Sequence, residues 1–244
     1  MKNRREIGLK VLMVAILGLA LAAGSAHAQA PCVANDNGTG TVTLPPAGCN
    51  YLSPSQLHLI LNGLPPGTQI ILDPIHHRFF CGQTGGNCTF PGGILGGEIE
   101  DVGSTLTFRL SGTGALAGWS RTVTVSANTE THTAPRTPGA SVQSFATNMY
   151  RLDGTLTGDP DFAFLRVVAG TGNGYPSPGQ TTLTRLTNGQ FRVDSAFTIR
   201  YRIDFQGSST GRLRGMAGST EGSVDMRAFS GGTTSVPKDS TTTK

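Results

Sequence analysis

The stretch Phe191-Arg192-Val193-Asp194-Ser195-Ala196-Phe197-Thr198-Ile199-Arg200-Tyr201-Arg202-Ile203-Asp204-Phe205 decides the fold class. Its odd positions are Phe191, Val193, Phe197, Ile199, Tyr201, Ile203 and Phe205, broken only by Ser195. Its even positions include Arg192, Asp194, Thr198, Arg200, Arg202 and Asp204. Side chains of an extended chain alternate between two faces, so this pattern predicts a long antiparallel strand with one buried and one wet face. On a helix the same apolar residues would scatter around the whole circumference, so helix is rejected.

Reading outward, Asn188-Gly189 separates this strand from Thr181–Leu186, and that dipeptide between two alternating runs is a hairpin signal. Leu106, Phe108 and Leu110 alternate with Thr105, Thr107 and Arg109. Val123 and Val125, Tyr150 and Leu152, Leu165–Val168, and Val224, Met226 and Ala228 continue the two-residue period. Gly-, Pro- and Ser-rich turns separate these runs at irregular spacing, so neither a propeller nor a solenoid is indicated. The expected architecture is all-β, an antiparallel β-sandwich or flattened barrel.

One segment reads as helix. Ser53-Pro54-Ser55-Gln56 offers an N-cap serine, proline at the first helical position and a capping-box glutamine. Leu57, Leu59, Ile60 and Leu61 supply an apolar face, and Asn62-Gly63 a stop. A short helix is expected over about 54–62, packed on the sheet because so few residues are not stable alone.

Composition sets the compartment. Glycine, 34 of 244 residues, is about twice ordinary usage, without the period of collagen. Lys2, Arg4, Arg5 and Lys10 precede the apolar run Val11–Ala23, and Ala26-His27-Ala28 follows. This predicts a signal peptide over 1–28 and an exported chain, periplasmic or extracellular, with no transmembrane segment after cleavage. Cleavage would remove four of the 19 basic and one of the 15 acidic residues, leaving a balance of +1. Nucleic-acid binding needs a concentrated basic stripe, and none remains.

The four cysteines, Cys32, Cys49, Cys81 and Cys88, fit an oxidising compartment and lack the close pairs of a zinc site. Cys32–Cys49 and Cys81–Cys88 is the expected pairing, since each closes a short polar loop. Residues 29–230 are expected to form one β domain, with a disulfide-tied portion over 29–95 and a β body over 96–230. Residues 231–244 have no apolar periodicity and read as a disordered polar tail.

Candidate chemistry is sparse. Gly207-Ser208-Ser209-Thr210-Gly211 matches G-x-S-x-G, but the last histidine, His132, lies upstream and a β segment follows. His76 and His77, with Glu130 and His132, and Asp73 as an alternative carboxylate, are candidate ligands for zinc or copper. If residues 75–80 are extended, His77 shares a face with Ile75 and Phe79, and His76 points away. Calcium is less favoured: Asp153, Asp159 and Asp161, and Glu98, Glu100 and Asp101, lack the spaced calcium-loop pattern and suit turns. With Trp119 the only tryptophan, Trp119 and Phe79-Phe80 read as core rather than as a sugar platform. The loop around Arg136 is a location for recognition.

The expected role is therefore a non-catalytic exported β protein that binds an unknown protein or envelope partner. The competing expectation is a metal-binding protein or metal-dependent enzyme using His76, His77 and His132.

Overall fold

The structure is a computed structural model that describes residues 30–53, 57–59, 64–81 and 88–230. The expected signal peptide over 1–28 and the polar tail over 231–244 lie outside the described residues. The chain is nearly all strand: β1 (Cys32–Ala34), β2 (Cys49–Leu52), β3 (Leu57–Leu59), β4 (Ile70–Phe80), β5 (Thr89–Pro91), β6 (Glu98–Gly112), β7 (Ser120–Thr133), β8 (Val142–Thr157), β9 (Phe162–Ala169), β10 (Pro178–Arg185), β11 (Phe191–Gly207) and β12 (Ala217–Ser230).

Eight of these strands close into an antiparallel barrel, in the order β4, β2, β12, β11, β10, β8, β7, β6 and back to β4. The deciding stretch is β11, and every odd residue from Phe191 to Phe205 is buried. Seventeen residues long, β11 has room for four partners. One edge takes β10 along 191–197 and β9 along 201–207, and the other takes β1 along 191–193 and β12 along 196–206. The long strand β8 repeats the device, pairing β10 near its start and β9 near its end.

The expected short helix is corrected where the structure describes it. Leu57–Leu59 is a strand, β3, paired with Ile70–Leu72 of β4. The edge of β4 offers a ladder of backbone partners, which an isolated turn and a half of helix cannot match. The other residues of that stretch, 54–56 and 60–62, lie outside the described residues.

Two bulges set which side chains face inward. Between Leu72 and Ile75, two residues of β4, Asp73 and Pro74, oppose the single Arg109 of β6. Proline has no N–H to give the ladder, which suits it to a bulge. The extra residue shifts the alternation, so Ile70 and Leu72 face inward before it and Ile75, His77 and Phe79 after it. A second bulge, where Glu130 pairs with Arg151 and Thr131 with Met149, places Tyr150 on the outside.

Each end of the barrel has its own stopper. At one end, Val42, Leu44, Phe145, Leu183, Phe191 and Val193 pack around the Cys32–Cys49 disulfide. The second disulfide joins Cys81 to Cys88. Both match the expected pairing. At the other end, Trp119, Phe162 and Phe205 stack edge to face, with Leu116 and Leu213 filling around them. Trp119 is core, as its size predicts. Phe79 packs edge-on against Tyr51, whereas Phe80 lies outside, over Gly103.

Asp161 ties the second stopper together. Its carboxylate accepts hydrogen bonds from Trp119 Nε1 at 3.1 Å, Arg121 at 2.9 Å and the Arg212 backbone N–H at 2.8 Å. Burial raises its pKa, but these three donors and the Arg121 charge outweigh that and hold it below its ordinary value. Replacing Asp161 with Ala should cost about 2–4 kcal/mol, because it strands two donors at the edge of the core. Urea denaturation of the variant beside the parent checks this, and a loss under 1 kcal/mol would contradict the assigned role.

Candidate functional site

Inside the barrel the sequence departs from an oily core at one level. Glu100 of β6, Thr131 and Thr133 of β7, Thr147 of β8, Thr181 of β10 and Ser195 of β11 are all buried and inward-facing. Each occupies a position where its strand's alternation calls for an apolar side chain. Ser195, the one interruption in the β11 pattern, lies 2.7 Å from the Thr181 hydroxyl and accepts the Tyr51 hydroxyl at 2.9 Å. The Thr133 and Thr147 hydroxyls have no hydrogen-bond partner among the described residues. A small cavity of about 20 Å³ lies among Glu100, Thr131, Thr147 and Thr181 beneath Leu44, Pro45 and Pro46, enough for roughly one water.

Burial dominates the chemistry of Glu100. It pushes the carboxyl pKa up to about 8, against a lowering by Arg136 and a further raising by Glu98. The Arg136 guanidinium is 2.6 Å from Glu98 and also donates to Thr41 Oγ1 and the Val42 carbonyl. It thereby closes the loop region that the sequence singled out, beside an outer cavity of about 320 Å³.

Below the polar band an aromatic layer crosses the barrel. Tyr51 meets Phe79 and Phe197 edge-on at 5.2 and 5.6 Å, and Phe79 lies 4.2 Å from the His77 ring. Beyond it is a second cavity, of about 40 Å³, lined by His77 and by apolar residues that include Leu72, Ile75, Ile199 and Met226. His77 is 1% exposed, and among the described residues neither Nδ1 nor Nε2 has a hydrogen-bond partner. Burial alone pulls its pKa down to about 3, so the ring is neutral at physiological pH.

The other sequence-derived candidates are dispersed. His76 faces the opposite way from His77, half-buried, with its ring edge-on to Phe229. His132 does meet Glu130, at 2.8 Å, but on the outer surface of the barrel wall. The Ile94 N–H donates to its Nδ1 at 3.2 Å, which leaves the Nε2 proton for Glu130, and Tyr150 stacks on the ring at 4.3 Å. Both nitrogens are thus used, with Arg151 holding the far oxygen of Glu130 at 3.0 Å. The barrel wall separates His132 from His77. Among the described residues, no three His, Cys, Asp or Glu side chains converge as a metal site would require. The side chain of Asp73 lies outside the description.

The acidic groups are likewise spent. Asp159 and Asp161 grip Arg121 at 2.6 and 2.9 Å, Asp153 lies 3.6 Å from Arg166, and Asp101 is exposed. Gly207–Gly211 is a turn between β11 and β12, with no helix after it. Ser208 Oγ there donates to the Pro160 carbonyl and accepts the Gly211 N–H.

Sequence reasoning missed Glu100 and the threonine band as an interior feature. The available signal was parity: Glu100 shares its phase with Val102, Leu106, Phe108 and Leu110 along β6. Comparison of the chain with protein-family models, curated proteins and solved structures gave no match.

His77 and Glu100 make opposite contributions to stability. Between about pH 6.5 and 3 the unfolded chain binds a proton that folded His77 refuses, so stability falls as pH drops through that window. Between about 4.5 and 8 folded Glu100 keeps a proton the unfolded chain releases, so stability falls as pH rises. The slopes, each about 1.4 kcal/mol per pH unit, cancel where the windows overlap. Urea denaturation should therefore show greatest stability near pH 4.5–6.5, with the alkaline decline removed by Glu100→Gln and the acid decline reduced by His77→Leu. At pH 7, His77→Leu should also stabilise the ligand-free protein by about 1–3 kcal/mol, because it removes an unpaired buried polar group.

Proposed function

We propose that this chain is an exported, non-catalytic binding protein, acting free or at the cell envelope, that holds its ligand inside the barrel. The observation that carries this reading is His77: a neutral imidazole whose two nitrogens have no hydrogen-bond partner among the described residues, lining an apolar cavity of a closed barrel. An orphaned buried polar group costs about 1–3 kcal/mol, and a ligand that pairs with it recovers that loss. Eight-stranded barrels are wide enough either to be filled by side chains or to hold one small molecule.

The groups around the lumen favour binding over chemistry. Nucleophilic catalysis needs a hydroxyl or thiol within reach of a base. Here the inward Ser195 hydroxyl is engaged with Thr181 and Tyr51, while His77 hydrogen-bonds to no hydroxyl or carboxylate among the described residues. Export is supported by the two disulfides, and no helix among the described residues is long and apolar enough to cross a membrane.

The full chain, expressed with its own N-terminus in an exporting bacterial host, tests both halves of this reading. The processed protein should begin after Ala28, and extraction with organic solvent followed by mass spectrometry should release a small, largely apolar molecule in near-equimolar amount. Retention in the cytoplasm would overturn export. A ligand-free protein whose melting temperature responds to no apolar compound would overturn the binding role.

A further inference from the structure

The cavity beneath Leu44, Pro45 and Pro46 carries an inference about the polar band. Glu100 of β6, Thr131 of β7, Thr147 of β8 and Thr181 of β10 line it, beside Tyr51. All four are buried within the barrel. Threonine has the shape of valine, so packing alone does not call for a hydroxyl at three inward positions. A buried hydroxyl or carboxyl that makes no hydrogen bond costs free energy, so these groups require partners.

The chain supplies partners for part of the set. Ser195 lies 2.7 Å from Thr181 and accepts the Tyr51 hydroxyl at 2.9 Å. When the Ser195 proton in turn goes to Thr181, the Thr181 proton is left for the cavity. The Thr147 hydroxyl has no partner among the described residues. Arg136, the cation acting on Glu100, donates its own hydrogen bonds to Glu98, Thr41 and Val42. Burial holds the Glu100 carboxyl protonated at neutral pH, which gives it an O–H to donate.

Size and charge select the occupant. At about 20 Å³ the cavity exceeds the roughly 10–15 Å³ that one water needs, and it is far below the roughly 150 Å³ that admits benzene. A buried water makes two to four hydrogen bonds, and this lining offers that number. A monovalent cation would face a neutral carboxyl already under the field of Arg136. Water both donates and accepts, which suits a lining of one protonated carboxyl and three hydroxyls.

We propose that this cavity binds one internal water, which accepts the Glu100 and Thr181 protons and donates to the Thr131 and Thr147 hydroxyls. The water thereby joins Glu100 to the Thr181–Ser195–Tyr51 chain and ties β6 to β10 across the lumen, two strands that are not neighbours in the wall.

A crystal structure of the processed protein at pH 6, with water-¹⁷O relaxation dispersion in solution, tests this. The expected result is one density peak within about 3.2 Å of the Glu100 carboxyl and of a threonine hydroxyl. Thr131→Val/Thr147→Val, which keeps the side-chain shapes, should lose one long-lived water from the relaxation amplitude; if it does not fold, Thr181→Val should show the same loss. Thr147→Val alone should lower the urea midpoint, because it removes an acceptor of the water. A raised midpoint would overturn the bond to Thr147, since replacing an unpaired hydroxyl stabilises. A cavity without density, or an unchanged relaxation amplitude in the folded variant, would overturn the water. A melting temperature at pH 9 that is higher in sodium or potassium chloride than in choline chloride of equal ionic strength, and that loses this difference in Glu100→Gln, would overturn water in favour of a cation.

Discussion

The burial of one face of β11 governs the rest of the molecule. Fifteen residues of alternation, interrupted only by Ser195, make one long strand whose inward row must be covered along its whole length. No single partner does this. Four strands share its two edges, and the sheet they begin is completed only by closing on itself through β2 and β4. Closure removes most of the unpaired edges that a sheet of this size would otherwise expose. Among the described residues, β12 pairs with β2 only along 227–230, and its stretch 217–226 pairs with β11 alone.

Within that closed wall the interior is layered. A disulfide-anchored stopper, a band of hydroxyls with Glu100, an aromatic layer, the His77 chamber and a tryptophan stopper follow one another along the axis. Two of these layers hold polar groups that a core selected only for stability would lack. Burial drives both ionisable members towards neutrality, Glu100 by retaining its proton and His77 by refusing one. These two interior layers are thus polar without carrying charge at neutral pH. The hydroxyl band is bonded around Ser195, whereas Thr133, Thr147 and both His77 nitrogens have no hydrogen-bond partner among the described residues.

Much of this was legible from residue order. The strands over Leu106–Leu110, Leu165–Val168 and Gly222–Phe229 stand where alternation put them, and the Asn188-Gly189 turn joins β10 to β11. The shared face of Ile75, His77 and Phe79 was also readable, because parity within a short strand is a local property. Within the helix expected over 54–62, the described Leu57–Leu59 is strand for a non-local reason: capping residues report what a segment prefers in isolation, and the edge of β4 offers these three residues a ladder. Glu100 is expected with Glu98 and Asp101 to serve a turn, but it shares the inward phase of Val102 and Leu106 along β6.

Residue order by itself determined the all-β class, the two disulfide pairs and the side chains that share each strand face. These follow from local geometry: a two-residue period, short loops between cysteines, and turn residues with fixed backbone preferences. Only the tertiary structure decided that the sheet closes into a barrel, and that His77 and His132 stand on opposite sides of its wall. Those outcomes depend on register and, for His77, on the bulge at Leu72–Ile75. A one-residue slip in pairing turns every following side chain from one face to the other, and it is fixed by the partner strand rather than by the strand's own residues.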